Sequence, residues 1–272
     1  MDSNLLNHQI DDILNTILSD ASGDVYMVNP SWEAIEQFVS VATDFDGELP
    51  TVYMLADERT LKDVMDDFIV ASNAADLIDA GALELRTLDE APENSLLVTE
   101  ESVVAIVHAG DRVGGLFTDD DEFVEATIET YESRWEAADA FNLRTPPITR
   151  VRQTLADEIS ADAEDDFSSI LSSLETARGD GDGLDEVTIS LLVAARNEAL
   201  LYDISKWGED VGIASKATFS RTKTKLEDMG LIDTEKVPIG VGRPRLRLKI
   251  GDDRLADADN GQLATVAQSI LN

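Results

Sequence analysis

Two helical segments separated by a four-residue turn constrain the fold of this chain more than any other part of its sequence. In the first segment, apolar residues recur at helical spacing and form one stripe: Leu200, Ile204, Trp207 and Val211. Gly212 then suits a left-handed helix end, and Ser215 suits the N-cap of a second helix. A tight, glycine-containing turn between two helices is typical of the helix-turn-helix motif. The sequence therefore predicts this motif between residues 200 and 229.

The second helix, KATFSRTKTKLEDMG, has two faces of different character. Its inner face carries Phe219, Thr222, Leu226 and Met229, whereas small or hydrogen-bonding residues face outward. A recognition helix contacts bases through its N-terminal residues and phosphates through its flanks. We therefore expect this helix to enter the major groove of double-stranded promoter DNA, with these contact residues: Ser215, Lys216, Ala217, Ser220, Arg221, Lys223, Thr224 and Lys225.

The segment after the second helix predicts a wing. LIDTEKV and RLRLKI form two strands joined by PIGVGRP, and in the second strand apolar and cationic residues alternate. One face of this strand should pack on the domain while the other presents positive charge. An arginine held clear of bulky neighbours suits a narrow minor groove. The expected DNA contacts of the wing are Arg243 at its tip, followed by Arg245 and Arg247.

Charge is distributed very unevenly along the chain. Residues 196–250 contain eleven Lys and Arg against eight Asp and Glu, whereas the whole chain contains 21 against 56 and has a net charge of −35. A basic island in so acidic a chain favours DNA binding, which requires local rather than total positive charge. The alternative is an interaction adaptor whose basic helix docks on an acidic protein and binds no DNA. The acidity of the remainder is typical of a folded protein from a halophilic organism.

The first half of the chain predicts an α/β domain. Three apolar strands, VYMVN, TVYML and LELRTL, alternate with helical patterns, which indicates βαβ units and a mostly parallel sheet. The runs SLLVTE, SVVAIVH and DRVGGLFT suggest antiparallel hairpins on that sheet. We expect helices over residues 4–18, 57–79 and 120–141.

Four segments follow from these patterns. Residues 1–145 form an α/β sensor-like or assembly domain, 146–183 a helical connector, 184–251 the winged helix-turn-helix domain, and 252–272 a tail helix. The acidic stretch 162–166 is expected to split the connector into two helices. The tail either pairs with a second copy, giving a homodimer, or folds back on its own domain. GDGDG, residues 179–183, lacks the other ligands of a calcium loop and is interpreted as a flexible turn.

Polar residues follow the first two strands, where α/β sheets bind ligands. They are Asn29, Ser31 and Trp32 after the first strand, and Asp57 and Arg59 after the second. These residue types suit a sugar or sugar phosphate effector. The alternative is that Asn29, Ser31 and Asp57 cap helices and that Trp32 belongs to the core.

The sequence offers no catalytic constellation. It has no cysteine, its two histidines lie in different elements, and neither a phosphate loop nor a nucleophile elbow is present. We therefore expect a non-enzyme without metal or cofactor. Without a signal peptide or an apolar run of membrane-spanning length, we also expect the protein to be cytoplasmic.

The chain resembles the haloarchaeal winged-helix transcriptional regulators of the TbsP type, which are grouped beside TrmB-like sugar-responsive regulators. The resemblance extends from MDSNLLNHQIDDIL to VGRPRLRLKIG and is most specific over Ser215–Lys225 and Gly242–Arg247. It implies a cytoplasmic regulator of metabolic genes, above all of central carbon metabolism. It also implies a first domain of phospholipase-D-like or TrmB-sensor-like shape without catalytic residues. TrmB-like proteins carry the DNA-binding domain first, whereas this chain has the reverse order.

Overall fold

The structure, a computed structural model, describes residues 4–88, 90, 92–110, 112–174, 176–178, 184–238, 244–259 and 262–271. The chain divides into two compact units. The first unit runs to Asp66 and resumes over Asn73–Leu143, whereas the second contains Asp67–Ser72 and the chain from Arg144 onward. No helix in these residues is long and apolar enough to cross a membrane.

An α/β fold makes up the chain as far as Leu143. Its elements are β1 Asn4–His8, α1 Ile10–Asp20, β2 Val25–Val28, α2 Trp32–Thr43, β3 Val52–Ala56, α3 Glu58–Val64, α4 Phe68–Asp79, β4 Leu83–Thr87, β5 Ser95–Val98, β6 Val103–Ala109, β7 Arg112–Thr118, α5 Asp121–Ala137 and β8 Asp139–Ala140. These strands form one sheet in the order β1-β7-β6-β5-β2-β3-β4-β8. The α/β class predicted from the sequence is confirmed.

Parallel pairing is confined to three neighbouring strands of the described sheet. β2, β3 and β4 are parallel neighbours, because helices return the chain to the same end between them. β5, β6 and β7 join antiparallel beside β2, as predicted for the three β-rich runs. β1 and β8 are antiparallel edge strands, so five of the seven pairings in the described sheet are antiparallel. The parallel sheet expected from the βαβ pattern is therefore the part formed by β2, β3 and β4.

The central strands are apolar because both of their faces are covered. Val28 and Leu55 are fully buried on the face where α5 packs, and Met27 and Met54 are equally buried on the other face. The ring of Trp135 on α5 lies 4.9 Å from that of Tyr53, centroid to centroid.

Three predicted helices in this unit differ from the structure. The expected helix over residues 120–141 ends at Ala137, because Asp139–Ala140 forms β8 and pairs with β4. The expected helix over residues 4–18 is wrong in its first half, because Asn4–His8 forms β1 and pairs with β7 more than a hundred residues later. Such a long-range pairing overrides the local periodicity. The expected helix over residues 57–79 is divided into α3 and α4, since Asp67 accepts the Ile69 amide hydrogen bond at 2.9 Å and starts a new helix.

The second unit is helical with one hairpin. Its elements are α6 Ile148–Glu158, α7 Ala161–Ser172, α8 Glu186–Arg196, α9 Leu201–Val211, α10 Lys216–Asp228, β9 Ile232–Val237, β10 Arg245–Ile250, α11 Asp253–Asp257 and α12 Leu263–Leu271. One core joins Phe167 of α7, Leu191 of α8, Trp207 of α9 and Phe219 of α10. The helices expected as a connector, α6 and α7, thus pack in the same core as the helix-turn-helix.

Two further predictions concern the break between the connector helices and the tail helix of this unit. The break between α6 and α7 lies at Ile159 and Ser160, where the Ser160 side chain caps α7. The acidic stretch 162–166 was expected to form this break but lies inside α7. An acidic first turn stabilises a helix start, so this stretch begins a helix. α12 buries Leu263, Ala264 and Ala267 in the core of its own unit. Residues 179–183, interpreted as a flexible turn, lie outside the described residues.

Candidate DNA-binding surface

The turn between α9 and α10 has the geometry expected of a helix-turn-helix. Gly212 adopts a left-handed conformation with φ of 100°, and Ser215 accepts the Thr218 amide hydrogen bond at 3.2 Å. Gly208 lies against the Phe219 ring so closely that a Cβ there would be 2.3 Å from it. A glycine at this position lets α10 pack directly on α9, which confirms the predicted motif.

The outer face of α10 is open to solvent. Phe219 and Leu226 are buried against the core of the unit. The residues expected to face outward are all exposed: Ala217, Ser220, Arg221 and Thr224. Ser215, Lys216 and Lys225 at the rim of this face are exposed as well. The structure therefore brings seven of the eight predicted helix residues to one accessible surface.

Lys223 is the residue that departs from this set. Its side chain is only 12% exposed, and its Nζ lies 2.6 Å from Glu227 Oε2. Glu227 also accepts a hydrogen bond from the Thr234 hydroxyl at 2.6 Å, so the lysine belongs to a contact between α10 and β9. These hydrogen bonds from Lys223 and Thr234 hold the pKa of Glu227 below its ordinary value. Lys223 is thus held by the fold of the domain.

The remaining cations of α10 differ in their partners. Lys216 donates to Glu209 through both its backbone amide and its Nζ. Arg221 donates to Thr218 Oγ1, at 3.5 Å. Among the described residues, neither Arg221 nor Lys225 has a carboxylate partner. These two cations are the available positive charges of the helix face.

The cations of β10 are each close to a carboxylate. Arg245 lies 3.2 Å from Asp203 and Arg247 lies 3.9 Å from Glu198. The Arg245 guanidinium also stacks 4.2 Å from the ring centroid of Tyr202. The packing face of the strand behaves as predicted at Leu248, which is fully buried. Gly242 and Arg243 at the predicted tip lie outside the described residues.

The sequence analysis did not identify the carboxylates of this surface. Glu198, Asp203 and Glu209 come from α9 and the residues preceding it, whereas their cations lie in α10 and β10. β10 reaches them because the Leu248 amide donates to the Ala199 carbonyl at 2.9 Å, which adds the strand to the segment before α9. Spacing along the chain carries no signal for these pairs. Of the three carboxylates, only Glu198 has a local sequence signal, because it occupies the position after a helix end where glycine is common.

The five residues predicted for a ligand site lie at the ends of β2 and β3. Ser31 caps α2 through the Ala34 amide at 3.2 Å, and Asp57 caps α3 through the Thr60 amide at 3.0 Å, as the capping alternative predicts. Asn29 has a positive φ of 47° and donates to the Pro92 carbonyl at 2.7 Å.

The other two residues of this set are exposed. Trp32 is 60% exposed, so its placement in the core is wrong. Arg59 forms an exposed ion pair with Asp63 at 3.6 Å. The exposed indole of Trp32, at the start of α2, is therefore the feature of this set that helix capping does not explain.

The second unit thus defines a winged helix-turn-helix module of the DNA-binding regulator class. Two family models match the chain: Transcriptional regulator TbsP-like, N-terminal, over residues 2–146, and Transcriptional regulator TbsP-like, C-terminal HTH domain, over residues 147–268. The chain belongs to the TbsP-like transcriptional regulators.

More distant similarity extends to solved structures. The archaeal chromatin protein TrmBL2, whose structure shows a novel mode of DNA binding, is 16% identical with a TM-score of 0.37, over 52% of this chain and 54% of that one. The chain therefore spans about half of the length of TrmBL2. NucT from Helicobacter pylori is 14% identical with a TM-score of 0.33, over 51% of this chain and 98% of that one. No curated protein matches the chain.

Proposed function

We propose that this protein is a sequence-specific regulator that inserts α10 into the major groove of promoter DNA. The observation that carries the proposal is the exposed outer face of α10, on which Arg221 extends without a carboxylate partner among the described residues. Arginine pairs with guanine through two parallel hydrogen bonds, while small neighbours such as Ala217 and Ser220 permit close approach to the base edges. Arg221 is therefore the residue we assign to base recognition.

The residues around this face fit contacts to the sugar-phosphate backbone. Lys225 is exposed one turn after Arg221, and Lys216 stands at the start of the helix. On the wing, Arg245 is held by Tyr202, while Arg247 and Arg243 are the further contacts expected beside the minor groove. Phosphate contacts fix the register of a protein on DNA, so these cations orient α10.

The proposal is tested by mapping genome occupancy of the tagged protein by immunoprecipitation, beside an Arg221→Ala variant. Arg254→Ala is the matched control, because it removes an exposed arginine that is paired with Asp252 and lies outside α10. We expect sharp promoter peaks with a shared motif, lost in Arg221→Ala and retained in the control. Flat occupancy of the unaltered protein would instead favour the adaptor that docks on an acidic protein.

We further propose that the protein acts as a homodimer on genes of metabolism, in particular of central carbon metabolism. Helix-turn-helix dimers read two half-sites related by symmetry, so the shared motif should be an inverted repeat. The choice of metabolic genes rests on the family resemblance. A motif without a repeat would contradict the dimer, and peaks confined to other gene classes would contradict the choice of targets.

A second candidate function for the first unit is sensing of a sugar or sugar phosphate. It is favoured by Trp32, the first residue of α2 in the connection after β2, whose exposed ring suits stacking on a sugar. Calorimetry with a panel of sugars and sugar phosphates in molar KCl should give heat that is lost in Trp32→Ala. Phe123→Ala, which removes another exposed aromatic ring, is the control. Silence across the panel would favour an assembly role for this unit.

A further inference from the structure

The N-terminus of α10 is already occupied by a carboxylate. Glu209 Oε1 accepts a hydrogen bond from the Lys216 backbone amide at 3.3 Å, and Glu209 Oε2 accepts one from Lys216 Nζ. Free amides at a helix N-terminus and a lysine beside them are a favourable site for a phosphate. The hydrogen bonds from Lys216 hold the pKa of Glu209 below its ordinary value, which reflects their preference for the ionised carboxylate. A DNA phosphate that approaches this point therefore competes with Glu209.

The same arrangement recurs on the wing. Asp203 lies 3.2 Å from Arg245, and Glu198 lies 3.9 Å from Arg247. Both arginine side chains are more than a third exposed, so they are accessible to DNA while they are paired. Exposed pairs of this kind are weak and exchange readily with other anions. Lys216, Arg245 and Arg247 are all expected to contact DNA, and each is thus paired with a carboxylate of the same domain.

The conformation of Glu198 supports a role for its side chain. Glu198 has φ of 49°, in the left-handed region that disfavours residues with a Cβ and that glycine adopts freely. A glycine would relieve this backbone cost but would provide no carboxylate to Arg247. The position therefore retains a charged side chain against its local conformational preference.

We propose that Glu198, Asp203 and Glu209 are specificity-determining residues that suppress non-specific attraction of this domain to DNA. The inference rests on the proposed function. When a paired cation moves to a phosphate, DNA releases a counterion, but the carboxylate left behind attracts a cation from solution. The second event opposes the first, so these pairs add less to salt-dependent binding than unpaired cations do. The unpaired Arg221 then has a greater share in deciding where the protein binds.

This opposition has a measurable consequence. Each phosphate neutralised by an unpaired cation contributes about −0.9 to the slope of log affinity against log salt concentration. Glu209→Gln should therefore steepen the slope by up to about 0.9, and the triple variant Glu198→Gln, Asp203→Asn, Glu209→Gln by up to about 2.7. The triple variant should also bind random DNA more tightly at low salt, which lowers its preference for the specific sequence.

The experiment uses the full chain and fluorescence anisotropy in KCl from about 0.1 M to about 1 M. The probes are a duplex enriched from a random pool by the unaltered protein and a scrambled duplex of the same length. The matched control is Glu58→Gln, since Glu58 forms an equivalent exposed pair with Lys62 at 2.6 Å in the first unit. The slope of this control should equal that of the unaltered protein. Circular dichroism verifies that each variant is folded, and the single Glu209 variant provides the test if the triple variant does not fold.

Two outcomes would overturn the inference, and they are distinguishable. If a duplex is enriched but the slopes of the Glu209 and triple variants equal that of the control, the carboxylates do not determine specificity while the proposed function stands. If no duplex is enriched or bound at any salt concentration, the proposed function fails and the inference fails with it.

Discussion

Helix α10 and strand β10 both carry cations in patterns that predict DNA contacts, yet they present them differently. On α10, Arg221 and Lys225 are exposed and have no carboxylate partner among the described residues. On β10, Arg245 and Arg247 are each paired with a carboxylate from α9 or the residues preceding it. The difference arises because β10 lies along that segment, whereas the outer face of α10 projects into solvent. A cation in a sequence pattern is therefore not the same as a cation available to DNA.

The largest effect is expected from a substitution that removes the packing of α10 on α9. Phe219→Ala deletes a fully buried ring between α10 and Gly208 of α9 and should lower the free energy of unfolding by about 3–5 kcal/mol. Urea denaturation followed by circular dichroism measures this change. The control is Phe123→Ala, since Phe123 is 55% exposed and its loss should change stability by less than about 0.5 kcal/mol. Equal effects of the two substitutions would show that α10 is not anchored through Phe219.

The next effect concerns the available cations of α10. Arg221→Ala should cost about 1–3 kcal/mol of binding free energy on the enriched duplex and relax the preference at one base position. Lys225→Ala, by contrast, should weaken binding to enriched and scrambled duplexes alike, because a phosphate contact carries no sequence information. Anisotropy titrations on both duplexes separate these cases. If Arg221→Ala lost the same binding free energy on both duplexes, Arg221 would not contribute to base recognition.

A smaller effect is expected on the wing. Arg245→Ala removes an exposed ion pair and a cation–π contact with Tyr202, which together contribute about 1 kcal/mol to stability. Its effect on DNA affinity should be smaller than that of Arg221→Ala, because Arg245 already has an anionic partner. Thermal unfolding and anisotropy measure the two quantities, with Arg254→Ala as an exposed arginine that has only an ion pair. If Arg245→Ala lowered DNA affinity as much as Arg221→Ala, pairing with a carboxylate would not reduce the contribution of a wing cation to binding.

The smallest effect depends on pH and on Glu227, which links α10 to β9, the partner strand of β10. Hydrogen bonds from Lys223 and Thr234 lower the pKa of Glu227 below its ordinary value of 4.5. Its stabilising contribution is therefore complete above pH 4.5 and is lost as the pH falls through the lowered pKa of the folded state. The unaltered protein should unfold at higher denaturant concentration than Glu227→Gln at neutral pH, with the gap closing in acid. A gap that is independent of pH would contradict this role.

Local sequence chemistry was sufficient for much of the second unit. Gly212 and Ser215 define the turn through a left-handed helix end and a cap, and these interactions reach only three or four residues along the chain. The burial of Phe219 and the exposure of Arg221 follow from helical periodicity in the same way. In the first unit, Ser31 and Asp57 act as caps, as their position before helical patterns indicates.

Several of the errors and omissions involve partners that are distant in the sequence. β1 depends on pairing with β7, which lies at the far end of the domain, so the periodicity of residues 4–18 misassigned it. Lys223 matched the cationic pattern of a recognition helix, yet it pairs with Glu227, which in turn accepts a hydrogen bond from Thr234 of β9.

The sequence by itself determined the α/β class of the first unit, the helix-turn-helix and the outward face of α10, because backbone geometry and capping act over a few residues. Only the tertiary structure decided which cations are available, since the pairs Arg245 with Asp203 and Arg247 with Glu198 span about forty or more residues. Electrostatic pairing depends on distance in space and not on spacing along the chain. The basic island is thus encoded locally, whereas its effective charge is set by the fold.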